Sequence, residues 1–192
     1  MFNWLLKYYK SLLVAVLLQT GTVWQACASD LDTYREVPDR LSVDIDQVGD
    51  LNIADIYQQG QSGLFDLTQV GIENSVTSHQ NGVKNFQSIT QTGNSNIVVT
   101  AQSGMLNSLI VSQTGSYHSV YAHQYGDNNL IAVDQTGSYN SANIEQYGSH
   151  NYALVEQNGS FNYTQVTQTG SHHSVAIKHT GNNQSVRVLQ QN

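Results

Sequence analysis

The chain is poor in the residues that staple or interrupt a folded domain. Among 192 residues it has one cysteine, Cys27, and one proline, Pro38. After residue 38 no disulfide can therefore form within the chain, and no proline removes a backbone N–H donor. Order in that part must come from hydrogen bonding and packing alone.

Charge is also scarce, since Asp, Glu, Lys and Arg make up 11% of the residues. Lys and Arg number 7 and the net charge is −7, which argues against nucleic acid as a partner because phosphate neutralisation needs clustered basic residues. The hydrophobic content of 39% is low for a globular chain. So polar a chain becomes ordered only if its amides and backbone groups satisfy one another in a regular lattice.

Long hydrophobic runs are missing except near the N-terminus, where residues 12–18 are all apolar. This run is shorter than the roughly 20 residues of a membrane span. Lys7 and Lys10 precede it, and residues 26–28 fit a small-x-small cleavage pattern. The pattern predicts a signal peptide over residues 1–28 and export of the rest of the chain.

Two further predictions concern the segment around the cleavage point. Lipid attachment at Cys27 is an alternative to cleavage after Ala28, although Trp24-Gln25-Ala26 is a poor lipobox. Residues 29–46 are predicted to be a flexible, charged leader, for which an ordinary frayed terminus is the equally simple interpretation.

An eleven-residue repeat fills the chain from residue 47 to 192, and its marker is Gln-x-Gly. Thirteen of the 15 glycines lie on this spacing. The marker glutamines are Gln47, Gln58, Gln69, Gln80, Gln91, Gln102, Gln113, Gln124, Gln135, Gln146, Gln157 and Gln168. The glycines are Gly49, Gly60, Gly71, Gly82, Gly93, Gly104, Gly115, Gly126, Gly137, Gly148, Gly159, Gly170 and Gly181.

Five residues after each glutamine comes a second amide position. It holds Asn52, Asn74, Asn85, Asn96, Asn107, Asn129, Asn140, Asn151 and Asn162. Gly63, His118, His173 and Gln184 are the exceptions. Two mostly apolar positions follow before the next glutamine, so each unit has the pattern Asn-x-Φ-x-Φ-x-Gln-x-Gly-x-x.

The first seven positions of the unit have a period of two, which places Asn, both Φ residues and Gln on one face of a β-strand. The last four positions predict a turn, in which glycine supplies a conformation that a side chain disfavours. A helix is excluded, because the apolar spacing is not 3.6 and glycine would weaken every third turn.

A strand with one apolar face cannot bury that face alone, but two consecutive units can fold back against each other. This predicts an all-β, two-sided parallel β-solenoid of the cross-β, amyloid type, with 22 residues per layer and about 6.5 layers, spaced about 4.8 Å. Gln and Asn should then form stacked amide ladders flanking the apolar columns.

The ends of the array depart most from this pattern. His179 stands at a glutamine position, Gln184 stands at an asparagine position, and Arg187 lies in the last unit. We predict that these three residues form an anchoring or nucleating end, whereas terminal repeats are also generally atypical. Outward charges are few, and Asp134, Glu156 and Lys178 should share one column, one layer apart.

These units resemble those of the curlin family, the subunits of bacterial curli amyloid. The matching pieces include Asn129-x5-Gln135-Thr-Gly137, Asn140-x5-Gln146-Tyr-Gly148 and Asn151-x5-Gln157-Asn-Gly159. The family's Ser at the start of a strand is usually Asn here. The segment Val186-Arg187-Val188-Leu189-Gln190 is similar to the tail of the minor, nucleating curlin.

The resemblance implies an extracellular, cell-surface-associated fibre subunit for adhesion and biofilm matrix, which pairs with itself and with other curlin-type subunits. It also implies export through an outer-membrane secretion pore with accessory factors. We expect the minor subunit, and a major fibre subunit or a non-amyloid adhesive or ice-binding β-solenoid is the alternative.

An enzyme is not expected, because acidic residues are scattered and no unit carries an inserted loop. We expect no small-molecule substrate, no cofactor and no metal. His79 and His123 share an outward column but lie two layers apart, about 9–10 Å by strand spacing, too far for one ion at Zn–N bonds of about 2 Å.

Overall fold

The computed structural model of the chain describes residues 13–19 and 41–192. Within these residues all regular structure is β, so none of them forms a helix that could cross a membrane. The strands are β1 (Leu13–Gln19), β2 (Ser42–Asp50), β3 (Ile53–Gln61), β4 (Leu64–Ile72), β5 (Ser75–Val83), β6 (Phe86–Asn94), β7 (Ile97–Met105), β8 (Ser108–Ser116), β9 (Ser119–Asp127), β10 (Leu130–Ser138), β11 (Ser141–Ser149), β12 (Tyr152–Ser160), β13 (Tyr163–Ser171), β14 (Ser174–Thr180) and β15 (Ser185–Gln191).

The strands alternate between two parallel sheets. One sheet has the order β1-β3-β5-β7-β9-β11-β13-β15 and the other the order β14-β12-β10-β8-β6-β4-β2. From β2 onward each residue pairs with the residue 22 positions later, as Val98 does with Val120 and Ile131 with Ala153. The predicted two-sided parallel β-solenoid with 22 residues per layer is therefore confirmed.

The core lies between the sheets and consists of the Φ residues of every unit. Phe65, Leu67, Ile131 and Ile144 are fully buried, and the two sheets contribute alike. β-branched residues are common in this core because they pack well on a pleated surface. The predicted apolar columns are confirmed residue by residue in the strand register.

The array begins earlier than residue 47. β2 starts at Ser42, inside the predicted leader, and Val43 and Ile45 pack partly buried against the core. The reason is that Gln-x-Gly marks the end of a strand, so a count from Gln47 leaves out the strand that leads to it. With β2 included, β2 to β15 make seven layers of two strands, compared with the expected 6.5.

β1 comes from the apolar run of the predicted signal peptide and lies at the edge of the first sheet. It pairs with β3 in parallel, with Val14 opposite Ala54 and Val16 opposite Ile56. The rest of the predicted signal peptide, its cleavage point and most of the leader lie outside the described residues. An unpaired edge strand is a template for another strand, and this segment occupies the edge of β3.

The turns use two residues with positive φ in each unit. The marker glycines have φ between 112 and 133°. Two residues farther on, a non-glycine residue takes a left-handed conformation with φ between 54 and 62°. Tyr117, Tyr139 and Phe161 occupy such positions, where bulky residues are rare. Their rings stack at centroid distances of 4.8 and 4.9 Å, which helps to offset the strain.

Candidate functional site: amide ladders and end layers

The glutamines form two continuous hydrogen-bonded ladders, one in each sheet. The Nε2 of each glutamine donates to the Oε1 of the glutamine 22 residues later, wherever one is present. The first such bonds join Gln47 to Gln69 and Gln58 to Gln80, and the later ones measure 2.7 to 3.1 Å. All twelve predicted ladder glutamines take part, and eleven of them are buried. Because every step runs the same way, donors face the C-terminal end and acceptors face the N-terminal end.

The second hydrogen of most glutamines ties the two sheets together. It is donated to the backbone carbonyl of the residue 16 positions earlier, in the opposite sheet, over 3.0 to 3.3 Å. An interior ladder glutamine such as Gln124 therefore has partners for both hydrogens and for its oxygen. Leaving such a group without a partner would cost about 1–3 kcal/mol, so interior glutamines cannot be exchanged freely.

The asparagines fix the turns. All nine predicted asparagines are buried, and each Nδ2 donates to the carbonyl of a turn glycine 19 residues later over 2.6 to 3.0 Å. Each Oδ1 accepts the backbone N–H of the residue 22 positions later over 3.0 to 3.2 Å. Asparagine is short enough to reach both partners from one position.

His118 replaces asparagine in this column and, like asparagine, both accepts from and donates to the backbone. Its Nδ1 accepts the backbone N–H of Asn140 at 3.2 Å, and its Nε2 donates to the carbonyl of Thr114 at 3.2 Å. This arrangement requires the neutral imidazole with its proton on Nε2. Burial lowers the pKa of His118, which favours that neutral form. In the sequence, His118 stands out only because it occupies an asparagine position. The asparagines one layer away on either side, Asn96 and Asn140, indicate which hydrogen bonds it must make.

The turn glycines stack directly on one another, so their spacing has a steric cause. A Cβ added to Gly115 would lie 1.9 Å from the carbonyl oxygen of Gly137, and the other interior glycines are similar. Gly181 differs, because a Cβ there would meet nothing nearer than the Gln184 Nε2 at 3.7 Å. The repeat therefore needs glycine wherever another layer lies on that side.

A small polar cluster interrupts the apolar core near the N-terminal end. The Oε1 of Gln87 accepts hydrogen bonds from Ser78 and Thr100, both at 2.8 Å, while its Nε2 is buried without a partner. The sequence places these three residues at Φ positions of consecutive units, but we did not predict that they meet. The cluster links the two sheets across the core.

The C-terminal layer, β14 and β15, contains the three predicted end residues. His179 takes the place of a ladder glutamine and is buried, and neither ring nitrogen has a partner. Burial lowers the pKa of His179. Gln184 replaces asparagine in its column, and its Nε2 donates to the carbonyl of Thr180 at 3.0 Å. Arg187 is exposed on the outer face of β15.

The N-terminal layer, β2 and β3, has the complementary defect. The Oε1 atoms of Gln47 and Gln58 are buried and accept no hydrogen bond, because no earlier glutamine lies in their columns among the described residues. The same end is acidic. Asp44 lies one layer from Asp66, whose pKa is raised by burial and by the charge of Asp44.

Charge is distributed unevenly along the stack. Six of the ten Asp and Glu of residues 41–192 fall between residues 44 and 73, whereas two of the three Lys and Arg lie in β14 and β15. The predicted outward column is confirmed, with Asp134 opposite Glu156 and Glu156 opposite Lys178. The Lys178 Nζ lies 2.7 Å from the Glu156 Oε2.

The family model for the curlin associated repeat matches residues 39–71, 104–137 and 138–170, together 100 of the 192 residues. The chain belongs to the curlin family. Its first match begins three residues before β2, which agrees with the early start of the array. No curated protein and no solved structure matches the chain. Curlin-family proteins are structural subunits of secreted amyloid fibres, and the stacked ladders described above are the cross-β arrangement that such a fibre needs.

Proposed function

We propose that the chain is the minor subunit of a curli-like extracellular fibre and nucleates polymerisation at the cell surface. The C-terminal layer carries the proposal. There His179 and Gln184 replace the ladder residues, β14 and β15 have 7 residues where β13 has 9, and Val186 and Val188 remain half exposed. The layer ends in an open parallel edge that another chain can extend.

A preformed edge removes the slow step of fibre formation. A single layer leaves its core residues uncovered above and below, so several layers must form before stacking becomes favourable. A folded copy with seven layers supplies that template at once. The interior of this chain satisfies its own buried amides, which supports folding without another subunit.

The predicted signal peptide supports export, and residues after the expected cleavage at Ala28 would reach a secretion pore before the array folds. Assembly then takes place outside the cell, where the fibre serves adhesion and the biofilm matrix. Its partners are a second, major curlin-type subunit and the secretion machinery. The tail from Val186 to Gln190, which is similar to that of minor curlins, favours the minor role.

Seeding tests the nucleating role. Traces of the chain are added to a major curlin-like subunit freshly diluted from denaturant, and the lag before fibres appear is recorded. A matched control is the chain without residues 179–192. We expect the full chain to shorten the lag and the truncated chain to do so less. An unchanged lag with the full chain would assign it the major role instead.

Two further measurements address the rest of the proposal. Fibres that contain the chain should diffract near 4.7–4.8 Å, the strand spacing of a cross-β stack. Cells that produce the chain without residues 179–192 should shed fibres into the medium if the C-terminal layer also anchors them. Fibres that remain on the cells would remove the anchoring role and leave nucleation to the seeding result.

A further inference from the structure

The two ends of the solenoid complement each other in hydrogen bonding. At the N-terminal end the Oε1 atoms of Gln47 and Gln58 are buried acceptors without donors. At the C-terminal end, His179 has a ring N–H without an acceptor, and the Nε2 of Gln190 uses one hydrogen for the carbonyl of Ser174. Both ladders run from donor to acceptor towards the C-terminus. Only a head-to-tail arrangement therefore brings donors to acceptors.

The charges complement each other in the same arrangement. If the layers continue with the same spacing, the next residue in the column of Lys178 is Asp46 of a second copy, and the next in the column of Arg187 is Asp55 of that copy. A head-to-head contact would instead place these aspartates against one another, which is unfavourable.

The number of layers is compatible with a continuous stack. The fourteen strands from β2 to β15 make seven whole layers, and each sheet takes one strand of every layer. A second copy stacked on β14 and β15 therefore sets its β2 on β14 and its β3 on β15. No rotation about the fibre axis is needed, and each column continues from one copy into the next.

β1 shows what the edge of β3 accepts. Leu13–Gln19 reads LVAVLLQ and Ser185–Gln191 reads SVRVLQQ, so four of seven positions are identical when the strands are aligned. β1 lies parallel to β3 with Leu18 opposite Gln58. In that sequence alignment Leu18 corresponds to Gln190, and leucine lacks the amide of glutamine. β1 is thus an incomplete substitute for β15 of another copy.

We propose that copies of this chain join head to tail in a single register, with Lys178 and Arg187 of one copy set against Asp46 and Asp55 of the next, and with His179 and Gln190 donating to Gln47 and Gln58. This inference rests on the proposed fibre function and specifies its junction. In the precursor, β1 occupies the edge of β3 that the junction requires.

The test uses the exported chain and two charge-reversed variants, Asp46→Lys/Asp55→Lys and Lys178→Asp/Arg187→Asp, diluted from denaturant onto wild-type fibre seeds or mixed with each other. Each variant alone sets like charges together at every junction, so its fibre growth should fall about tenfold or more. An equimolar mixture restores opposite charges at every junction and should recover growth to within a few-fold of wild type. The control variant Asp134→Lys/Glu145→Lys changes the same charge in the interior and should grow like wild type.

A second variant tests the stacking without charge. Gly181→Ala has no steric clash within one copy, but its Cβ would meet the carbonyl of Gly49 of the next copy as interior glycines would meet theirs. The variant should keep its far-UV circular dichroism as a monomer and lose fibre growth at least tenfold.

The outcomes separate this inference from the proposed function. Wild-type fibres with cross-β diffraction, together with unimpaired growth of both charge-reversed variants or of Gly181→Ala, would overturn the register and leave the fibre function standing. Failure of the wild-type chain to form or seed any fibre would overturn both. Loss of growth by each variant with recovery in the mixture supports the junction.

Discussion

The interior layers and the two end layers are built from the same unit but differ in how their polar atoms are satisfied. In the interior, the oxygen of Gln124 accepts from Gln102, and its nitrogen donates to Gln146 and to the carbonyl of Ser108. At the ends, the Oε1 of Gln58 accepts no hydrogen bond, and neither ring nitrogen of His179 has a partner. A layer is therefore complete only when it has neighbours on both sides, and matched substitutions in the two regions can test this difference.

The largest difference is expected between two glycines. Gly115→Ala would force its Cβ to within 1.9 Å of a backbone oxygen, whereas Gly181→Ala has the same kind of positive φ without the clash. We expect Gly115→Ala to lose about 4 kcal/mol or more of unfolding free energy, or not to fold. The loss for Gly181→Ala should be much smaller. Urea unfolding followed by far-UV circular dichroism measures both, and equal losses would contradict the steric explanation.

The glutamine ladders should show the same contrast. Gln124→Leu preserves volume but leaves one hydrogen of the Gln102 Nε2 and the Gln146 Oε1 without their ladder partners, and it also removes the bond to the Ser108 carbonyl, at a cost of about 3 kcal/mol. Gln190→Leu removes one ladder bond and one backbone bond at a half-exposed position, at about 1 kcal/mol. Denaturant unfolding of the two variants provides the comparison. A larger loss of unfolding free energy for Gln190→Leu than for Gln124→Leu would contradict the view that the end layer is less completely hydrogen-bonded than the interior.

The two buried histidines should make stability depend on pH. Their pKa values are lowered by burial, so the folded chain binds these protons less readily than the unfolded chain, whose histidines titrate near 6.5. This contribution is complete above a pH of about 6.5 and is lost as the pH falls towards the lower folded pKa values. Protonation also removes the acceptor that His118 offers to Asn140.

His118→Asn should therefore remove most of this pH dependence, and His179→Gln a smaller part, because His179 makes no hydrogen bond that protonation breaks. The midpoint of thermal unfolding between pH 5 and pH 7.5 is the measurement. A pH slope that persists in the double variant would contradict this assignment, because the raised pKa of Asp66 makes stability rise, not fall, as the pH is lowered.

The smallest effect is expected at the Lys178–Glu156 ion pair. Both side chains are largely exposed, with relative exposures of 70% and 41%. Exposed pairs contribute little and are screened by salt. Lys178→Gln should leave the midpoint of thermal unfolding of the monomer unchanged within error. The same variant should slow fibre growth. A change in the unfolding midpoint without a change in growth would show that Lys178 stabilises the folded monomer and not the contact between copies.

Much of this fold follows from the sequence because two periods determine it. A period of two decides which residues of a unit point inward, and a period of eleven decides which residues stack. The ladder partners of Gln113 and the core position of Ile131 are therefore predictable from the spacing alone. Amide side chains at buried positions have few other ways to be satisfied, which restricts the register further.

Other features depend on contacts that a single unit does not reveal. The left-handed conformation of Tyr139 contradicts its residue type and is held by layers on both sides, since its N–H donates to the carbonyl of Ser116 and its ring stacks on two others. His118 acts as an asparagine only because its two nitrogens happen to match the spacing of that column. The early start of β2 is hidden in the sequence because Leu41 replaces the expected amide.

The 22-residue separation of the ladder partners also bears on how such a chain can change its length. Loss or duplication of 22 residues removes or adds one layer and leaves every later strand in its own sheet. A change of eleven residues moves every later strand to the opposite sheet and exchanges the two sets of columns. Recombination within the gene that encodes the repeats should therefore be tolerated mainly in steps of 22 codons, so that fibre subunits of different lengths remain compatible at their ends.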